Sequence, residues 1–175
     1  MLTRHRSLQI LAVLILATPA YAAEPGPATD VPELKVLSHY VGQWDVKITS
    51  KETPFESGEV SAVWILDGRF VQQTINLNVI NSSTPLKIST MMTYDPDVRK
   101  YRFWRFVSNG NVTEASGTWD AKTKTMTLVG KDTDLTATTT ASFAKEGVEE
   151  WKIVVKDSSG NDVATVTGTN TRKKE

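Results

Sequence analysis

Residues 86–119 read LKISTMMTYDPDVRKYRFWRFVSNGNVTEASGTW. Three runs rich in β-branched and aromatic residues, 86–94, 101–108 and 111–119, are divided by Asp95-Pro96 and by Asn109-Gly110. That is the pattern of successive hairpins. Proline presets φ for a turn, and Asn-Gly favours a two-residue type I′ loop. Connections this short cannot hold a crossover helix, so neighbouring strands pair antiparallel. A two-residue loop at Asn109-Gly110 sets Ser108 opposite Asn111 and Arg105 opposite Glu114. A four-residue loop between Asp95 and Lys100 sets Tyr94 opposite Tyr101, Met92 opposite Phe103, Thr90 opposite Arg105 and Ile88 opposite Val107.

Side chains two apart share a face of a strand. One face of this unit then carries Ile88, Thr90, Met92 and Tyr94, joined by Tyr101, Phe103, Arg105 and Val107. Val112, Glu114, Ser116 and Thr118 complete it. Its ends are apolar, and its middle is a polar trio of Thr90, Arg105 and Glu114. The other face offers Trp104, Phe106, Ala115 and Trp119. The first face is expected to line the interior, with the Arg105–Glu114 pair as the candidate polar anchor.

The same rhythm runs through the rest of the chain. Further β-rich runs at 43–50, 58–66, 69–80, 125–131, 135–144, 149–156 and 162–171 alternate with turn signals such as Asp67-Gly68, Glu146-Gly147 and Ser159-Gly160. About ten strands in meander order either close on themselves or leave edges open to aggregation. The expected fold is therefore all-β, an antiparallel up-and-down barrel. A short amphipathic helix over residues 33–41 precedes it, marked by Leu34, Leu37 and Tyr40 or Val41 and ended by Gly42.

Upstream, Arg4 and Arg6 lead into the apolar run LQILAVLILA at residues 8–17, followed by Ala20-Tyr21-Ala22. This is the layout of a secretory signal peptide, residues 1–22, cleaved after Ala22. Residues 23–32 read as a flexible linker and 33–175 as one barrel domain, exported to the periplasm or secreted. Of 20 basic and 20 acidic residues, loss of Arg4 and Arg6 leaves 18 basic, a mature charge near −2. Such a balance gives no reason to expect nucleic acid as a partner. Membrane insertion after cleavage is not expected either. Outward positions would include Asp45, Lys47, Lys87, Arg102, Lys152 and Lys156, where a membrane barrel needs an apolar band.

The chain has no cysteine, so neither disulfides nor thiolate metal sites can form. One histidine, His39, follows the leader, and no metal or cofactor is expected. Haem ligation by His39 is poorly placed on the leading helix, while ligation by a tyrosine stays open. No G-x-S-x-G elbow or glycine-rich phosphate loop appears. The acidic pairs Asp132/Asp134 and Glu149-Glu150 read as solvated turns. No catalytic residue is assigned.

Four pieces of sequence carry a family resemblance. They are Leu37 to Trp44 with its Gly42-x-Trp44, Trp64 to Gln73, Tyr94-Asp95-Pro96 running on to Lys100-Tyr101, and Gly117-Thr118-Trp119-Asp120 before Lys124-Thr125. In this order they resemble a bacterial, often exported, domain-of-unknown-function family with lipocalin-like (calycin) architecture. The likeness spans roughly residues 34–168. It implies a short helix leading into the first strand and a tryptophan plugging one end. Family members often carry an acidic residue just ahead of the turn serine. This chain has Val107 there, so any polar role at that position is lost here.

The leading expectation is a protein that binds a small, mostly apolar ligand inside the barrel, with Ile88, Thr90, Met92, Tyr94, Tyr101, Phe103, Arg105 and Glu114 on its wall. The alternatives are a barrel enzyme using Glu114 and Arg105, and a structural or partner-binding envelope protein with a packed core. A cavity of about 300–1,000 Å³ would favour binding, and a solid core the structural reading.

Overall fold

The computed structural model describes residues 26–51 and 53–174. The expected signal peptide and residues 23–25 of the expected linker lie outside them. A 3-10 helix, Pro32–His39, precedes ten strands: β1 Gly42–Ile48, β2 Phe55–Ile65, β3 Phe70–Val79, β4 Leu86–Asp95 and β5 Lys100–Val107 form the first half. The second half is β6 Val112–Asp120, β7 Thr125–Asp132, β8 Leu135–Ser142, β9 Val148–Lys156 and β10 Asp162–Arg172. Each strand pairs antiparallel with its sequence neighbours, and β10 pairs with β1 to close the barrel. The expected all-β up-and-down barrel is the observed one.

The helix differs in kind from the amphipathic helix expected over residues 33–41. It starts on Pro32, whose missing N–H costs nothing in a first turn. At three residues per turn, Leu34, Leu37 and Tyr40 line up on one side, and all three are buried. They join the main core cluster with Trp64, Met92 and Tyr101, so the helix plugs one end of the barrel. Three side chains pin it there. The Tyr101 hydroxyl donates to the Glu33 carbonyl at 3.0 Å, and Trp44 Nε1 donates to the Tyr40 carbonyl at 2.9 Å. Arg172, from the last strand, lies over the Trp44 ring at 4.1 Å and donates to the carbonyls of Val41 and His39. The linker is also partly tied down. Ala28 and Val31 pack against this core, and the Ala28 N–H donates to the Gly68 carbonyl at 3.0 Å.

Between β4 and β5 the register is the expected one, with Ile88, Thr90, Met92 and Tyr94 opposite Val107, Arg105, Phe103 and Tyr101. Between β5 and β6 it is not. Arg105 pairs with Thr113, and Glu114 pairs with Trp104. The cause is the loop. The Gly110 N–H donates to the Val107 carbonyl at 2.8 Å, and Gly110 holds φ at +93°. Asn109 is not among the residues with positive φ, which rules out the type I′ turn. Ser108, Asn109 and Gly110 instead form a three-residue loop, a turn closed by a left-handed glycine. One extra loop residue flips every side chain of the following strand to the opposite face. Ala115 and Trp119 therefore pack inward against the core, while Val112, Glu114 and Thr118 are exposed.

Within β6 the barrel wall is drawn tight. A methyl on Gly117 would overlap the Thr127 carbonyl oxygen and sit 2.8 Å from the Leu128 Cα. Only glycine allows the β6 and β7 backbones this approach. The apolar interior falls into two clusters. The larger surrounds the helix plug, and the smaller is built on Trp44, Val46 and Val60.

Candidate functional site

A cavity of about 150 Å³ takes its wall from both clusters, with Tyr40, Phe103 and Leu128 from the larger and Val46 and Val60 from the smaller. Ile48, Ile75, Leu77, Ile88 and Ile153 extend the wall away from the helix. Among the described residues, the end opposite the helix carries only connections between strands. The volume is smaller than the range expected of a drug-sized site, yet the core is not solid.

Seven polar side chains line this hollow: Tyr40, Gln73, Thr90, Arg105, Thr139, Glu149 and Asn170. Alternation along β3, β4 and β5 brings three of them into one row. Gln73 is the register partner of Thr90, and Thr90 that of Arg105. Nearer the plug, Asn170 and Glu149 are register partners on β10 and β9. Asn170 Nδ2 donates to Glu149 Oε2 at 2.6 Å, and Trp151 Nε1 donates to Asn170 Oδ1 at 3.0 Å. Burial pushes the Glu149 carboxyl up to about 7, against the opposing pull of the Asn170 hydrogen bond. Burial, then Glu149 and Tyr101, raise the Tyr40 phenol well above its ordinary value.

Two of these groups bury a polar atom that finds no partner among the described residues. The hydroxyls of Tyr40 and Thr90 are buried with no hydrogen bond among the described residues. Arg105 keeps some accessible surface because its side chain faces the cavity. Even so, loss of water is the one influence on its guanidinium, and it lowers the pKa. No carboxylate among the described residues forms an ion pair with it.

Of the residues expected on the wall, Ile88, Thr90, Phe103 and Arg105 line the cavity. Met92 and Tyr101 are buried in the core around the plug, and Tyr94 packs against that core in edge contact with Tyr101. Glu114 is a correction. It lies on the outer face, paired with Arg102, which also holds Asp95 at 3.2 Å and stacks on Trp104. The pair Arg105–Glu114 therefore does not exist, and the enzyme built on it loses its two members to opposite sides of the wall.

Glu149 is the second correction. Expected in a solvated turn, it is 7% exposed inside the barrel, because β9 begins at Val148 and sets it in phase with Trp151 and Ile153. Asp132 and Asp134 are exposed as expected. His39 stacks on Trp119 and Phe143 at the plugged end and does not reach the cavity. Among the described residues no cluster of three or more acidic or histidine side chains could hold a metal ion. A second, polar depression of about 520 Å³ lies outside the plugged end among Lys124, Lys145 and Arg172.

A family model described as a protein of unknown function (DUF1579) matches residues 29–149, well over half of the chain. The matched span holds the plug, the polar row and Glu149. A search of curated proteins finds no match.

Proposed function

The chain belongs to the DUF1579 family of proteins of unknown function, and from that premise we propose that it is an exported binding protein whose barrel interior takes a small, mostly apolar ligand. The observation that carries this reading is the hollow between the two core clusters, with its aliphatic and aromatic wall and its handful of inward polar groups. Pockets of that make-up, apolar with a few convergent polar atoms, are where small molecules bind. A cavity of about 150 Å³ matches in size an engineered apolar cavity known to take up benzene. The occupant is accordingly a molecule of about six to ten non-hydrogen atoms.

The structural reading draws on the same modest volume, since a barrel with so small a hollow is close to a packed scaffold. What favours binding over it is the polar inventory. A scaffold has no use for a cationic side chain on a cavity wall or for two buried hydroxyls there without partners among the described residues, each of which lowers stability.

Native mass spectrometry of protein purified from its own host tests the proposal, and N-terminal sequencing of the same sample tests cleavage after Ala22. A bound small molecule and a chain starting at Ala23 are the expected results. Protein that arrives empty and takes up no benzene, followed by NMR shifts of the cavity methyl groups, would leave the structural reading in place.

A further inference from the structure

Arg105 is a cation in search of an anion. A guanidinium keeps its proton throughout the physiological range, so the cavity wall bears a permanent positive charge. Burying such a charge is costly unless something opposite in sign offsets it. The one carboxyl on the wall, Glu149, does not do so. Its carboxyl is engaged by Asn170, and burial keeps it protonated up to about pH 7.

The neighbours of Arg105 extend the demand. Directly across on β4, Thr90 is 2% exposed, and its buried hydroxyl has no partner among the described residues. One strand further, Gln73 brings an amide with two N–H donors into the same row. The row is thus rich in donors around one positive charge. On its side away from the helix the wall turns aliphatic, with Ile75, Leu77 and Ile88.

We propose that the ligand is a small monocarboxylate, its carboxylate at Arg105, Thr90 and Gln73 and its apolar body among Ile75, Leu77 and Ile88. This rests on the binding reading above and names its ligand class. A carboxylate fits because the planar fork of a guanidinium matches its two oxygens. A single negative charge fits because the wall supplies a single positive one; a dianion would leave net charge in an apolar hollow. A short acid fits because the hollow is only about 150 Å³.

Hexanoate and hexanamide form the test pair, alike in shape and unlike in charge. Isothermal titration of each into the full protein at pH 6.5, where the acid is ionised, should show hexanoate binding at least about tenfold tighter, as expected for a hydrogen bond to a charged group. In Arg105→Met the preference should vanish through loss of hexanoate affinity, with hexanamide affinity within about twofold of the parent. Thr90→Val, nearly unchanged in shape, should weaken hexanoate several-fold and hexanamide less, and it serves if Arg105→Met fails to fold. Equal binding of acid and amide, or a preference that survives Arg105→Met, overturns the carboxylate assignment while leaving an interior binding site standing. Binding of neither overturns both.

Discussion

Replacing Glu149 by glutamine isolates one buried carboxyl and turns its environment into a stability curve. A carboxyl with an ordinary value of 4.5 that burial pushes to about 7 holds its proton more tightly in the folded chain than in the unfolded one. Stability linked to that proton is fully present below about pH 4.5. It declines as pH rises and is gone once pH passes about 7. At about 1.4 kcal/mol per pH unit, the loss across that window amounts to roughly 3 kcal/mol. Glutamine has nearly the same shape, accepts the Asn170 hydrogen bond through its carbonyl and never ionises, so the variant lacks this slope. Urea unfolding of both proteins from pH 4.5 to 8.5, read by tryptophan fluorescence, gives the difference directly, because every other titrating group cancels between them. The two should be nearly equal at pH 4.5, and the variant should gain steadily to an advantage of about 2–3 kcal/mol at pH 8. A difference that does not change with pH, or a parent that is the more stable at pH 8, would mean that Glu149 folds as an anion held by a counter-charge. The cavity wall would then carry its own negative charge, and Arg105 would no longer call for an anionic ligand.

Three other substitutions test the parts that shape the site. Arg172→Ala removes the guanidinium over Trp44 and its hydrogen bonds to the helix carbonyls; the expected cost is about 1–3 kcal/mol, seen as a lower thermal midpoint with altered Trp44 emission. Gly110→Ala adds a methyl that meets nothing within 4 Å, so its cost, about 1–2 kcal/mol, comes from the positive φ alone. An unchanged midpoint for this variant would show that Gly110 does not hold a positive φ. Gly117→Ala drives a methyl into the β7 backbone and should lower the urea midpoint by at least the equivalent of about 2 kcal/mol; full stability would show that β6 and β7 are not in close contact.

The hairpin at residues 86–119 shows where local reading works and where it misleads. The turn after Asp95 needs only its length, and the register of β4 on β5 follows residue for residue. The turn at Asn109-Gly110 needs a choice between two geometries that the same dipeptide serves. Turn chemistry favours the shorter loop; the strand beyond it favours the longer. Ala115, Gly117 and Trp119 alternate with Glu114, Ser116 and Thr118, and a barrel with one wet face places the polar set outside. The hydrophobic pattern fixes register more firmly than the turn does. The same alternation marks two wall residues that no motif singles out. Gln73 shares phase with Val71, Ile75 and Leu77, and Glu149 with Trp151 and Ile153. What no pattern carries is the hollow itself. Whether inward side chains meet across a barrel depends on strand stagger and rotamers, and so does the isolation of Arg105 from every acid on the wall. The sequence places that arginine inside. Packing alone leaves it unpaired among the described residues, and the unpaired charge, more than the volume around it, is what makes the interior read as a binding site.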